Sequence, residues 1–430
     1  MRWLVNRQFS VFWGSQFIST LGAWIVYIVL NLYVYTYFAS ASVLATFLMI
    51  RLIPALVFGP VGGWLADKFS RRRLLITCDL VRALLILGFM VAHEVWVFCL
   101  LGALLVCFDK VSQATQGAYL PDLVGKEEIY EANSYMRIPI SVSTVLGPAL
   151  GALLIANDNY QLAFIIDSLA FLVSASTLTL IGFWGENPGR LADLAALEAK
   201  ESLPEEAASS PAPSESGAEM SVFQFLGRNL DMIYMWVVRL LDCMGSGAYV
   251  IGLAILGKTF TADGSGYGWL MGCWALGTVV GSLCLARQFK EGKLPANEAF
   301  ACAVVIMVGG MSLTFNLPWL GWALLTVFLG GIGDGISGLI FQSTIMQKAP
   351  DQMRGKVVGT SIAVVHTGSV LGMSIAGFVI EKYPLNLFTD WSSALIALSA
   401  IGGLATFYKF QALQTKALSK APVEVTPSRP

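Results

Sequence analysis

From Gln8 to Ile50 the chain carries no Asp, Glu, Lys or Arg, and the stretch from Ala299 to Gly333 is equally free of charge. A helix crossing the hydrocarbon core of a bilayer needs about 20 apolar residues. Each stretch therefore covers one crossing and part of the next. A soluble fold would have to bury such helices on every side. Only 13% of the 430 residues are charged, against about 25% in a soluble domain whose surface meets water. Most of this chain's surface must face something apolar.

Charged or turn-rich breaks divide the sequence into twelve expected spans. The first six lie near residues 12–38, 42–66, 74–92, 95–120, 136–157 and 160–184. The second six lie near 231–257, 265–287, 297–316, 318–347, 357–380 and 388–408. After Met1–Ser10 the first apolar stretch runs past Thr36, longer than the roughly 7–15 residues of a signal-peptide core, so it reads as a retained span. Gly185–Ser221 differs from its surroundings, with eight acidic residues, two basic ones and a Pro/Ser/Ala-rich run at Pro204–Ser216. That composition cannot bury enough apolar surface to fold alone and reads as a disordered linker. The expected organisation is a six-helix bundle over 1–184, a linker over 185–221, a second six-helix bundle over 222–410 and a tail over 411–430.

Of the 27 Lys and Arg residues, 21 fall in the termini and in alternate loops. Cytoplasmic loops carry the excess of basic residues, which predicts that both termini and the linker are cytoplasmic. The halves also echo each other. Leu65-Ala66-Asp67-Lys68-Phe69 recurs as Leu285-Ala286-Arg287-Gln288-Phe289, Pro121-Asp122 as Pro350-Asp351, and Val145-Leu146-Gly147 as Val370-Leu371-Gly372, at offsets of 220, 229 and 225 residues. One duplicated unit, and hence two pseudo-symmetric bundles, accounts for three matches in order. Membrane repeats of this kind move by alternating access.

The net charge of −1 gives no reason to expect nucleic acid as a partner. The seven cysteines lie in or beside apolar segments without metal-ligand spacing, so no metal or other cofactor is expected. The Gly-x4-Gly-Lys-Thr run at Gly252–Thr259 lies at the end of the apolar seventh span, whereas a nucleotide-binding loop joins a strand to a helix, and a Ser/His/Asp arrangement is missing, which argues against an enzyme or a self-powered pump.

Residues three or four apart share a helix face. The first span carries Gln16, Thr20, Tyr27 and Asn31 on one face; the fourth carries Asp109, Gln113 and Gln116. The seventh carries Arg239, Asp242, Ser246 and Tyr249, and the tenth Asp334, Ser337 and Thr344. These four spans hold corresponding places in the repeat. A charge at mid-membrane costs about 2.5–3.5 kcal/mol on insertion scales, so Arg51, Asp109, Lys110, Arg239, Asp242 and Asp334 must be paired or must line water. Structural pairs such as Arg239 with Asp242 or Arg51 with Asp109 are the alternative to a functional cavity. The cavity candidates are Gln16, Tyr27, Asn31, Arg51, Asp109, Lys110, Gln113, Arg239, Asp242, Tyr249, Asp334 and His366. His366 is included because its side chain titrates near neutral pH. Asp79, Arg82 and Asp167, in the third and sixth spans, fall outside this pattern; the first two are expected near the cytoplasmic end.

The segment Gly59-Pro60-Val61-Gly62-Gly63-Trp64-Leu65-Ala66-Asp67-Lys68-Phe69-Ser70-Arg71-Arg72-Arg73 resembles the signature between the second and third helices of the major facilitator superfamily. The resemblance implies a cytoplasmic gate made by Gly63, Asp67, Lys68, Arg71, Arg72 and Arg73, latching the halves in the outward-open state. Asn6-Arg7-Gln8-Phe9 with Phe12-Trp13-Gly14-Ser15-Gln16-Phe17 resembles the opening of the branch holding macrolide-efflux proteins and the enterobactin exporter. Leu120-Pro121-Asp122-Leu123-Val124 with Glu131-Ala132-Asn133, and Pro350-Asp351 with Arg354-Gly355-Lys356, are similar to that branch's connections. Gly147, Pro148 and Gly151 partly match the superfamily's antiporter motif, with Ser143 and Ala152 in place of two usual glycines. The family further implies that spans one, four, seven and ten line a central cavity.

The implied function is secondary active export of an amphipathic small molecule, drug-like or siderophore-like, in exchange for protons, from the cytoplasmic (inner) membrane of a bacterium. Asp109 and Asp334 are expected to include the coupling carboxyl, and the chain is expected to be a monomer. A lysophospholipid flippase on the same fold is the nearest alternative, followed by a non-transporting receptor.

Overall fold

The structure, a computed structural model, describes residues 6–124, 128–157, 159–183, 229–290, 295–316, 319–350 and 354–420. The expected linker and the last ten residues of the tail lie outside the described residues. Twelve long helices occur among those described. The first half comprises α1 (Arg7–Phe38), α2 (Ala41–Lys68), α3 (Arg71–Gly88), α4 (Val95–Val124), α5 (Ile129–Ala156) and α6 (Tyr160–Phe183). The second comprises α7 (Leu230–Phe260), α8 (Gly266–Lys290), α9 (Ala296–Asn316), α10 (Leu320–Lys348), α11 (Arg354–Val379) and α12 (Leu385–Lys420).

Several helices run past their apolar cores because local chemistry favours it. α1 starts five residues before its expected span, where Asn6 caps it by accepting the Phe9 N–H at 2.8 Å. Ser40 caps α2 in the same way through the Val43 N–H. Ten helices are long and apolar enough to cross a membrane, and α2 adds an eleventh if its two segments, bent by 46° between Ala55 and Pro60, form one span. A proline inside a helix removes one backbone hydrogen bond, the usual cause of such a bend. The twelfth helix, α3, packs five charges, Arg71, Arg72, Arg73, Asp79 and Arg82, into 18 residues. It needs partners for them, and α4 and α6 flank it.

The helix pairings reproduce the sequence repeat. In the first half α1 packs on α5 and α6, α4 on α2 and α3, and α3 on α6. Adding six to every label gives the second half: α7 on α11 and α12, α10 on α8 and α9, and α9 on α12. The same glycines serve both. A Cβ on Gly147 of α5 would overlap Trp24 of α1, and one on Gly372 of α11 would overlap Met244 of α7. Between the halves the main contacts are α5 with α8 and α2 with α11, again one pair repeated.

Apolar packing divides the molecule along its length. One buried cluster, including Val29, Leu32, Phe47, Ile251, Tyr267 and Met373, draws on both halves. A second, around Met235, Phe300, Ile345 and Ile396, belongs to the second half alone. A third, around Phe12, Leu75, Leu123 and Ile181, belongs to the first half alone. The shared core lies toward the loops joining α1–α2, α5–α6, α7–α8 and α11–α12. The separate cores lie toward the end that bears α1's start. The halves therefore meet at one end and part at the other.

Candidate functional site: a charged chamber between the halves

Hydrogen bonds between the halves cluster at the joined end. Asn31 of α1 donates to the Tyr267 hydroxyl of α8 at 3.4 Å. Glu381, in the α11–α12 turn, accepts from the Ser40 hydroxyl at 3.0 Å and the Ser42 N–H at 3.2 Å. These bonds hold the Glu381 carboxyl below the usual carboxylate range. Gly268 of α8 lets the chain pass Ala152 and Pro148 of α5, where a Cβ would come within 2.7 Å of both. Toward the parted end, three adjoining cavities open between and within the halves. The first, about 440 Å³, is walled by α1 to α6 and includes Gln16, Tyr27, Arg51, Arg82, Asp109, Gln113 and Asp167. The second, about 490 Å³, lies in the other half, with Arg239, Asp334, Gln342 and His366. A third, about 480 Å³, spans both halves, bringing Trp24 and Thr144 opposite Trp274, Thr278 and Asp334.

Each half holds an arginine between two aspartates. In the first half Arg82 of α3 pairs with Asp79 one turn earlier on the same helix, lies 3.3 Å from Asp109 of α4, and donates to Ser112 at 3.2 Å. Its guanidinium stacks 4.3 Å from the Phe171 ring. Gln113 donates to the other Asp109 oxygen at 2.8 Å, and Lys110 lies 3.9 Å from it. In the second half Arg239 of α7 lies 2.6 Å from Asp242 and 3.5 Å from Asp334 of α10. In both clusters one carboxylate is sealed (2% side-chain exposure for Asp79 and for Asp242) and the other meets water (37% for Asp109, 23% for Asp334). Asp109 and Asp334 are 225 residues apart, the offset that separates Gly147 from Gly372, so they are repeat equivalents.

The predicted cavity residues separate accordingly. Gln16, Tyr27, Arg51, Asp109 and Gln113 line the first cavity, and Arg239, Asp334 and His366 the second. Asp242 sits behind Arg239, and Lys110 reaches Gln113 at 3.1 Å without lining these three cavities. Asn31 belongs to the joined end. Tyr249 is fully buried, bonded to Ser393 of α12 at 2.8 Å, and packs the second half. The pairing of Arg239 with Asp242 is present; that of Arg51 with Asp109 is not, because Asp109 is turned to Arg82. The third and sixth helices, outside the sequence pattern, supply Arg82 and Asp167 to the chamber. The i, i+3 spacing of Asp79 and Arg82 signalled their pairing, whereas nothing in the sequence placed Asp167 or Thr278 in the chamber.

The predicted gate residues are apart from the second half. Asp67 is exposed, and neither a hydrogen bond nor an ion pair holds it among the described residues. Arg71 donates to both Asp122 oxygens, at 2.9 and 3.0 Å, and to the Ala118 carbonyl at 3.0 Å. Lys68 lies 4.9 Å from the Trp64 ring, Arg72 is half-buried, and Arg73 is exposed. A Cβ on Gly63 would meet open space, and it is Gly62 that presses on α4, where a Cβ would lie 2.8 Å from Val111 Cα. Of the antiporter-like residues, Gly147 and Gly151 face α1 while the Pro148 carbonyl faces α8.

Residues 12–229 and 235–428 match the model of the Major Facilitator Superfamily. The chain belongs to that superfamily. Its members are transporters, not enzymes, and the twelve-helix fold described above is theirs. The chain is 26% identical over 381 residues to the MFS-type transporter YfiS of Bacillus subtilis (strain 168), covering 87% of each chain. It is 23% identical to the multidrug efflux pump Tap of Mycolicibacterium fortuitum, covering 79% of this chain and 80% of that one. It is 25% identical to macrolide efflux protein A of Streptococcus pyogenes, covering 40% and 44%. Those matches agree with the resemblance to an efflux-type branch. Among solved structures, a bacterial homologue of the iron transporter ferroportin in an inward-facing state superposes with a TM-score of 0.68 at 13% identity, covering 94% and 98% of the two chains.

Proposed function

We propose that this major facilitator protein exports a small amphipathic molecule, drug-like or siderophore-like, from the bacterial cytoplasm in exchange for protons. The observation that carries the reading is the pair of arginine–aspartate clusters, one in each half, whose equivalent members Asp109 and Asp334 face a chamber joined at one end and parted at the other. The excess of Lys and Arg in the termini and alternate loops supports a cytoplasmic parted end, which makes this conformer inward-open in this reading. The exposed Asp67 accords with a gate that engages only in the opposite state.

Charge balance supplies the coupling. An arginine with two aspartates carries −1 overall, and moving a net charge into a low-dielectric surrounding costs several kcal/mol. Protonating Asp334 brings its cluster to zero, whereas in the first half Lys110, 3.9 Å from Asp109, already balances the second carboxylate. The chamber then closes around a neutral group, and releasing that proton on the other side resets the negative cluster. Aromatic walls from Trp24, Tyr27 and Trp274 suit a cargo with a large apolar part. The efflux activities in the names of Tap and macrolide efflux protein A support the outward direction.

Flux in proteoliposomes tests this. Rhodamine 6G and 2-naphthoate, an amphipathic cation and anion, are followed with and without an imposed pH gradient. The expected result is gradient-driven movement of at least one, lost in the Asp109→Asn/Asp334→Asn double variant. Movement that ignores both the gradient and the double variant removes proton exchange. If lysophospholipid is then the molecule that moves, the flippase reading replaces export.

A further inference from the structure

Arg51 and Asp167 are the two charged groups lining the first cavity that form no ion pair among the described residues, and Arg51 is the cation of the two. Arg82, the other arginine lining this cavity, is neutralised by Asp79 and Asp109. Arg51 forms no ion pair among the described residues, and its Nη1 is buried without a hydrogen-bond acceptor. Its guanidinium lies 5.6 Å from the Tyr27 ring and 5.3 Å from the Phe47 ring. Gly102 of α4 leaves room for this stem: a Cβ there would lie 3.2 Å from Arg51 Cγ and 2.7 Å from Phe47 Cε2. Aromatic contacts stabilise a cation but accept an N–H only weakly, so they do not replace an oxygen acceptor on the planar donor edge. A buried donor without an acceptor carries the full desolvation penalty, and a guanidinium fork matches a carboxylate in two parallel bonds.

We infer that the first cavity is a receptor for the acidic group of an amphipathic organic monoacid, with Arg51 binding the carboxylate while Tyr27, Trp24 and Phe171 pack its apolar body. The inference deepens the transporter reading and rests on it. One unpaired cation implies one acidic group, and a cavity of about 440 Å³ admits a small two-ring body. The neighbouring carboxyls do not compete for Arg51: Asp109 is held by Arg82 and Gln113, and Asp167 lies across on α6 beside Gly22.

Equilibrium dialysis of the detergent-solubilised full chain against protein-free micelles tests the inference with three probes of one shape: 2-naphthoate, 2-naphthalenemethanol and 2-naphthylmethylamine. The carboxylate is expected to bind at least ten-fold tighter than the alcohol or the amine. Arg51→Gln should remove that preference, weakening carboxylate binding far more than alcohol binding. Arg51→Lys, which keeps the charge but lacks the fork, should retain part of it and serves as the folded comparison if Arg51→Gln is unstable. The inference is overturned if either variant binds 2-naphthoate as the wild type does, if the amine matches the carboxylate, or if none of the three binds. The flux assay separates the two levels: rhodamine 6G moving while 2-naphthoate does not sinks this inference alone, and neither probe moving sinks the transporter reading.

Discussion

The two charge clusters contain the same three groups, yet they are assembled from different helices. The water-facing aspartates are repeat equivalents on α4 and α10. The arginines are not, since Arg82 comes from α3 while Arg239 comes from α7, the counterpart of α1. Duplication thus preserved the position of the carboxyl that meets the chamber, while the arginine entered from whichever neighbouring helix could reach. A guanidinium on a long side chain satisfies two carboxylates from several directions, whereas a carboxyl on a short one reaches water only from a helix that lines it. Both clusters also stay within their own half. Every ion pair among the described residues does so. The halves are linked instead by apolar contacts and by few hydrogen bonds, those of Asn31 and Glu381 among them. Rocking one half against the other therefore breaks no buried charge pair.

The largest expected effects come from removing either arginine. Arg82→Gln and Arg239→Gln each leave a sealed aspartate beside a second carboxylate, and breaking a buried pair costs about 3–5 kcal/mol. Both should lower the thermal unfolding midpoint sharply, and Asp79→Asn or Asp242→Asn should recover part of the loss within its own half only. Cross-rescue between halves would break the picture of two independent clusters. Next in size, Asp109→Asn and Asp334→Asn should each reduce gradient-driven flux by ten-fold or more with a much smaller effect on unfolding. Unequal effects would show which half carries the proton.

Gly268→Leu places a side chain where α8 meets Ala152 and Pro148. It should wedge the joined end, measured as faster labelling of a cysteine introduced at Ser42. Gly63→Ala, with open space at its Cβ, should leave the unfolding midpoint of this conformer unchanged and slow flux by favouring it over the gated state. The smallest effect is expected at Glu381. Its carboxyl is held below the ordinary value of 4.5, so its contact with Ser40 and Ser42 is fully present above that value and is lost as pH falls through the lowered one. Acidifying the face that bears Glu381 below about pH 4.5 should loosen the joined end slightly, by the same labelling assay, and Glu381→Gln should abolish the dependence.

Much of the architecture was legible in the order of residues alone. Twelve spans, their duplication and the four polar stripes follow from where charge is tolerated, because a bilayer penalises misplaced polar groups along the chain itself. Gln16, Tyr27, Asp109 and Asp334 were found this way and do face cavities. Asn31, about one turn beyond Tyr27, and Tyr249, about two turns beyond Asp242, share those helix faces but lie nearer the joined end, where the same face meets protein instead of water. Periodicity fixes a direction around a helix axis and says nothing of how far along it the chamber extends.

What the sequence by itself determined is which segments cross and that they form two copies of one unit, since those depend on each helix's own composition against lipid. Which arginine neutralises which aspartate, that Asp109 turns to Arg82 and leaves Arg51 bare, and at which end the halves meet were decided only by the tertiary structure. These depend on side chains converging from helices far apart in the chain, and on distances of a few ångströms that no spacing along one helix records.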